Sequence, residues 1–146
     1  MQRRIPMRKA GGPLKDFIAH ARKNLLPVRD RLVFFKDGQE FLPGVQAIAA
    51  PGHTVGHTIF MITSNGKSLC FVGDLTHHPI LLLEKPRMQF SYDTDPKQAA
   101  ETRVRLLDMI AANKIPIMTY HYAWPGIGHI GKCGSRDGSH HRRSKV

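Results

Sequence analysis

Cysteine is scarce in this sequence. The 146 residues hold two, Cys70 and Cys133, too few for a disulfide framework. Cys70 sits in an apolar run and reads as a small core residue. No apolar stretch approaches the length of a membrane span, so no membrane partner is expected. The first twelve residues carry no acid and no apolar h-region, so a secretory signal is not expected. A cytoplasmic protein is the first expectation, and the Arg-rich start leaves a mitochondrial-type leader as the alternative. Aromatic residues are also few, at 8%. No aromatic-basic platform or reading motif for nucleic acid accompanies the basic residues.

Acidic residues number 11 against 22 basic ones, for a net charge of +11. The excess is confined to the ends. Residues 1–31 hold nine Lys/Arg and two Asp, and residues 132–146 hold five and one. The middle, 32–131, balances eight against eight. A small-molecule partner, with no nucleic acid, is therefore expected. Hydrophobic residues make up 41%, enough for a real core.

Three stretches are expected: a basic disordered leader over 1–13, a folded domain over 14–130, and a disordered basic tail over 131–146. Within the domain, residues 14–26 suit a short helix stopped by Pro27. Residues 32–35 read as a strand, with Asp37-Gly38 as a hairpin turn. Residues 45–50 read as a buried strand. Residues 58–63 and 68–72 pair through Asn65-Gly66, the strongest hairpin signal present. Residues 75–94 read as irregular. Asp95 caps a helix with Pro96 in its first turn and Gln98 placed to reach back. Ala100, Val104, Leu107 and Ala111 recur on one face of that helix. Residues 115–120 form a last strand.

Metal-competent residues follow three of these strand ends, where a sheet scaffold usually carries chemistry. His53 and His57 stand four apart in a loop flanked by glycines, either as ligands or as histidines satisfied in a turn. Asp74 follows a strand and Gly73. A carboxylate there has two oxygens for two cations, or serves as a turn or cap. His121 closes the last strand, and His129 lies in the loop beyond it. His77 and His78 are adjacent, so their side chains diverge, and one of them has a route to the site. Trp124, Tyr122, Phe90 and residues 81–83 suit an apolar pocket or the core, and core is the better reading for the leucines.

Together these residues resemble a known family. Ala50-Pro51-Gly52-His53-Thr54-Val55-Gly56-His57-Thr58 resembles the P-G-H-T-x-G-H motif of the metallo-β-lactamase superfamily. Val72-Gly73-Asp74 resembles its G-D motif, and His121 its last ligand. The stretch from His121 through Trp124-Pro125-Gly126-Ile127-Gly128-His129 resembles the methyl parathion hydrolase and quorum-quenching lactonase branch. The resemblance covers roughly residues 30–130 of the sequence. It implies an α/β (α+β) fold, the C-terminal half of an αβ/βα sandwich. It also implies a centre of up to two divalent ions, often zinc. His53 would join one metal, Asp74 would bridge both as the catalytic carboxylate, and His121 would complete the second. His57 would stand behind the ligands, with His129 also nearby.

The family's upstream H-x-H-x-D-H motif is absent from these residues, so four of seven expected ligands are missing. The expected function is therefore a zinc-dependent hydrolase of ester, lactone or phosphotriester class, read as truncated. The alternative is an inactive remnant, or a half-domain that needs a separate N-terminal half or a second copy.

Overall fold

The structure, a computed structural model, describes residues 12–133 and 140–144. Residues 1–11 of the expected leader lie outside them. The chain forms two compact units, residues 1–34 and 35–146.

In the first unit, helix α1 (Gly12–Leu25) leads into a 3-10 helix, Leu26–Arg31. Pro27 opens that 3-10 turn, where its missing N–H costs nothing. The strand expected over 32–35 does not form. The Leu32 N–H closes the turn on Arg29, and Val33 and Phe34 are exposed with no strand beside them.

In the second unit, the described residues place seven strands in one sheet. They are β1 (Glu40–Leu42), β2 (Val45–Ala49), β3 (Thr58–Ser64), β4 (Lys67–Phe71), β5 (Ile117–Met118), β6 (Ile127–Cys133) and β7 (His140–Ser144). They lie side by side in chain order. Every neighbour is antiparallel except β4 and β5, which run parallel. Parallel neighbours require a crossover. Helix α2 (Pro96–Ala112) supplies it.

The β3–β4 hairpin turns at Asn65-Gly66 as expected, both residues having positive φ. Asp37-Gly38 turns the chain, but β1 begins after it, and the β1–β2 connection runs through Pro43-Gly44. Residues 131–133 and 140–144 were expected to be unstructured and instead pair as β6 and β7. A ladder of backbone hydrogen bonds needs no apolar alternation, and basic residues are common on edge strands.

α2 covers one face of the sheet. Ile59, Cys70, Val72 and Ile117 meet Leu106, Leu107 and Ile110 there, all essentially buried. Each such side chain contributes about 1.5–3 kcal/mol. Asp95 caps α2 by accepting the Gln98 N–H. The buried stripe is rotated from the expected one. Ala100 and Leu107 are buried, Val104 and Ala111 only half so, and Ala99, Arg103, Leu106 and Ile110 complete the stripe. Arg103 hid that stripe, because a charge reads as solvent-facing.

Residues 75–94 are less irregular than expected. They hold one π-helical turn, Pro79–Glu84, which buries Leu82 and Leu83 and leaves Leu81 exposed. On the sheet's other face, Phe35 stacks on Phe41 at 4.7 Å between ring centroids, and Phe41 meets Phe60 at 5.7 Å.

Candidate metal centre

The site is built from the loops after β2, β4 and β5, which leave the sheet at one end. The first runs from Ala50 to His57 and is closed by the Ala50 N–H donating to the His57 carbonyl. Gly52 lets this loop lie on the first turn of α2. Its φ is +128°, and a Cβ there would sit 2.3 Å from the Ala99 Cα. The Gly52 carbonyl accepts from the Asp95 N–H, and the His53 carbonyl from the Thr94 N–H. The entry to α2 therefore sets the position of His53.

His57 has no nitrogen left for a metal. Nδ1 faces the Ala50 carbonyl at 3.0 Å, and a carbonyl only accepts, so Nδ1 carries the proton. Nε2 then accepts the Asp74 N–H, also at 3.0 Å. Burial lowers the His57 pKa and favours this neutral form. His57 thus anchors the backbone of Asp74 from behind.

His53 is oriented by a buried ion pair. Its Nδ1 lies 3.0 Å from Asp93 Oδ1, and Arg103 Nη2 lies 3.2 Å from Asp93 Oδ2. The Asp93 and Arg103 side chains are 0% and 1% exposed. Arg103 also donates to the carbonyls of Leu75, Pro86 and Met88. A buried charge of this kind stands only when its hydrogen bonds are filled. Asp93 holds the His53 proton on Nδ1, so the Nε2 lone pair faces Asp74 Oδ2 across 3.8 Å. Two electron pairs directed at one another define a position for a cation.

Around the other Asp74 oxygen, His121 Nε2 lies at 2.8 Å from Oδ1 and His77 Nε2 at 3.2 Å. Burial works to raise the Asp74 carboxyl. Hydrogen bonds from His121 and Tyr120, with the charges of His53 and His77, outweigh it and leave the group below its ordinary value. Burial, followed by the charge of His121, lowers the His77 pKa.

The residues singled out from sequence therefore divide. His53, Asp74 and His121 converge, and His57 stands behind Asp74. His129 lies on β6 opposite Ser144 and is not among the side chains that converge on Asp74. His78 is spent elsewhere, its Nδ1 accepting the N–H groups of Ile80 and Leu81. Asp93 and Arg103 carried no sequence signal. Trp124, 95% exposed, and Tyr122 line an apolar groove of about 390 Å³ with Phe71, Met118, Tyr120 and Pro125.

The donor set fits a divalent cation. Atoms of His53, Asp74 and His77 lie within 4.8 Å of one another. Imidazole and carboxylate ligands around 2.0–2.1 Å from a tetrahedral ion stand roughly 3.3 Å apart. The observed separations from Asp74, 3.2 Å and 3.8 Å, bracket that value.

The sequence model of the metallo-beta-lactamase superfamily matches residues 4–114, about three-quarters of the chain. This chain belongs to the metallo-β-lactamase superfamily. Members of the superfamily are metal-dependent. Among solved structures, the chain is similar to AbOPH, a hydrolase in the beta lactamase superfamily. That match has 29% identity and a TM-score of 0.78, and covers 92% of this chain and 45% of that one. It is also similar to AidC, a dizinc quorum-quenching lactonase, with 26% identity and a TM-score of 0.83. Here coverage is 96% of this chain and 46% of that one. No curated protein matches. This superfamily member spans less than half the length of the two solved relatives. Among the described residues, no helix is long and apolar enough to cross a membrane.

Proposed function

We propose that this chain is the C-terminal, metal-holding half of a zinc-dependent hydrolase acting on esters, lactones or phosphotriesters. The observation that carries the reading is the His53–Asp74 gap. An imidazole lone pair faces a carboxylate oxygen at 3.8 Å, and the imidazole is held in that tautomer by Asp93. When bound, the ion supplies Lewis-acid activation of water and of the carbonyl or phosphoryl centre.

The chain's own residues orient that chemistry. His53, Asp74 and His121 would hold metal, His57 fixes the Asp74 backbone, and Arg103 with Asp93 locks the His53 ring. The groove under Tyr120 and Trp124 suits the apolar part of a substrate. That AidC is a lactonase supports the lactone class.

Full turnover calls for the ligands of an H-x-H-x-D-H segment, which these 146 residues do not contain. The test is the rate on one lactone and one aryl ester, with and without an N-terminal half bearing that segment, supplied in frame or in trans. Chelator-sensitive turnover only with the added half is expected. A folded, metal-loaded combination that hydrolyses neither substrate overturns the reading and leaves the chain a non-catalytic remnant.

A further inference from the structure

We propose that His77 is itself a metal ligand, so that His53, Asp74 and His77 hold one divalent cation on this chain. The inference concerns ion binding alone and goes beyond the hydrolase reading.

The two oxygens of Asp74 are divided between two imidazoles: Oδ2 faces His53 Nε2 at 3.8 Å, and Oδ1 faces His77 Nε2 at 3.2 Å. These separations match those between neighbouring ligands of a tetrahedral ion. The His77 ring is fixed in place. It packs against Phe90 and His121, with centroids at 4.9 and 4.3 Å. The residue before it, Thr76, is buried, with its hydroxyl 2.8 Å from that of Tyr122.

The second nitrogen of His77 separates it from its neighbours. In His53 and His57, Nδ1 is committed to Asp93 and to the Ala50 carbonyl. His77 Nδ1 is buried with no hydrogen-bond partner in the structure. No acceptor fixes a proton on His77 Nδ1, so only the Asp74 carboxylate holds the proton on Nε2. Without an ion, Nε2–H donates to Asp74. With an ion in the gap, Nε2 gives its lone pair and the proton sits on Nδ1. The adjacent His78 has no such freedom, because its Nδ1 holds the π-helical turn. Ligand atoms of His53, Asp74 and His77 all lie within 4.8 Å of one another, three protein donors that leave the fourth position of a tetrahedral ion open.

The experiment uses the full chain with Zn(II) or Co(II) alone. Uptake is measured by titration, and imidazole nitrogens are followed by long-range proton–nitrogen NMR. The wild-type chain is expected to take up one ion, with the His77 Nε2 resonance moving on Zn(II) addition. His77→Ala and His77→Gln are expected to weaken binding by at least about tenfold. Both variants should also change the visible Co(II) spectrum while circular dichroism shows the fold retained. The spectrum and the NMR shift distinguish a ligand from a residue that merely steadies Asp74. An ion bound with the His77 nitrogens unmoved overturns the proposal, as does an unaltered Co(II) spectrum in both variants or no uptake by the wild-type chain. No turnover is read, so failure here leaves the hydrolase reading standing, and failure of that reading leaves this one.

Discussion

His53 and Asp93 meet through a 3.0 Å contact between Nδ1 and Oδ1, forty residues apart in sequence. This contact decides which nitrogen of His53 remains for a metal. Asp93→Asn removes the charge that holds the proton on Nδ1. Zinc affinity of the chain should then fall by roughly ten- to a hundredfold. Calorimetric titration at a temperature where the variant is folded checks this. Unchanged affinity would mean that Asp93 serves Arg103 only.

Arg103 is the counter-charge to Asp93 deep under the site. Arg103→Met keeps the bulk and strands a buried carboxylate, so stability should drop by about 3–5 kcal/mol. Urea unfolding followed by circular dichroism measures it. A loss no larger than that of an exposed ion pair, about 1 kcal/mol or less, would contradict the buried network described here.

Two glycines of one loop should respond differently. A Cβ on Gly52 meets the backbone of Ala99 at 2.3 Å and stands at φ +128°, whereas one on Gly56 meets nothing within 4 Å. Gly52→Ala should cost at least roughly 1–3 kcal/mol. Gly56→Ala should stay within about 0.5 kcal/mol of the parent. Thermal melts of both proteins give the comparison, and equal melting temperatures would refute it.

Burial pushes the Cys70 thiol up to about 12. In the unfolded chain it ionises near its ordinary value, so unfolding releases the proton first as pH rises. The stabilising contribution is complete below pH 9 and is lost between 9 and about 12, at up to about 1.4 kcal/mol per pH unit. At pH 8 iodoacetamide should therefore leave Cys70 unmodified in the native chain and alkylate it in urea. Peptide mapping reads Cys70 separately from Cys133, and rapid native labelling at Cys70 would disprove its burial.

Features that rest on local chemistry were readable in the sequence. Asn65-Gly66 turns the hairpin and Asp95 caps α2, whereas the meeting of His53, Asp74 and His121 was legible only through the family's motifs. Features that rest on long-range compensation were not. Arg103 is buried because three carbonyls and Asp93 surround it, and none of them neighbours it in sequence. His77 and His78 look equivalent on paper. The backbone N–H groups of the following turn claim one, and the Asp74 carboxylate faces the other. Residues 32–35 have strand composition but pair with no strand among the described residues, while residues 140–144 lack apolar alternation and still pair.

The parallel pairing of β4 with β5 has a practical consequence. Both strands point toward the metal-competent end, so Asp74 and His121, 47 positions apart in sequence, emerge side by side. The Asn65-Gly66 turn and the Asn113-Lys114 turn at the end of α2 gather at the opposite end, where Gly66, Lys67, Asn113 and Lys114 line one shallow depression. Five residues of β4, roughly 17 Å of extended chain, separate that end from the ligands. New termini opened at Asn65-Gly66, or a reporter domain inserted there, would interrupt none of the loops that carry His53, Asp74, His77 or His121. Circular permutation at that turn offers a way to attach a partner segment while leaving every donor atom on its original strand end.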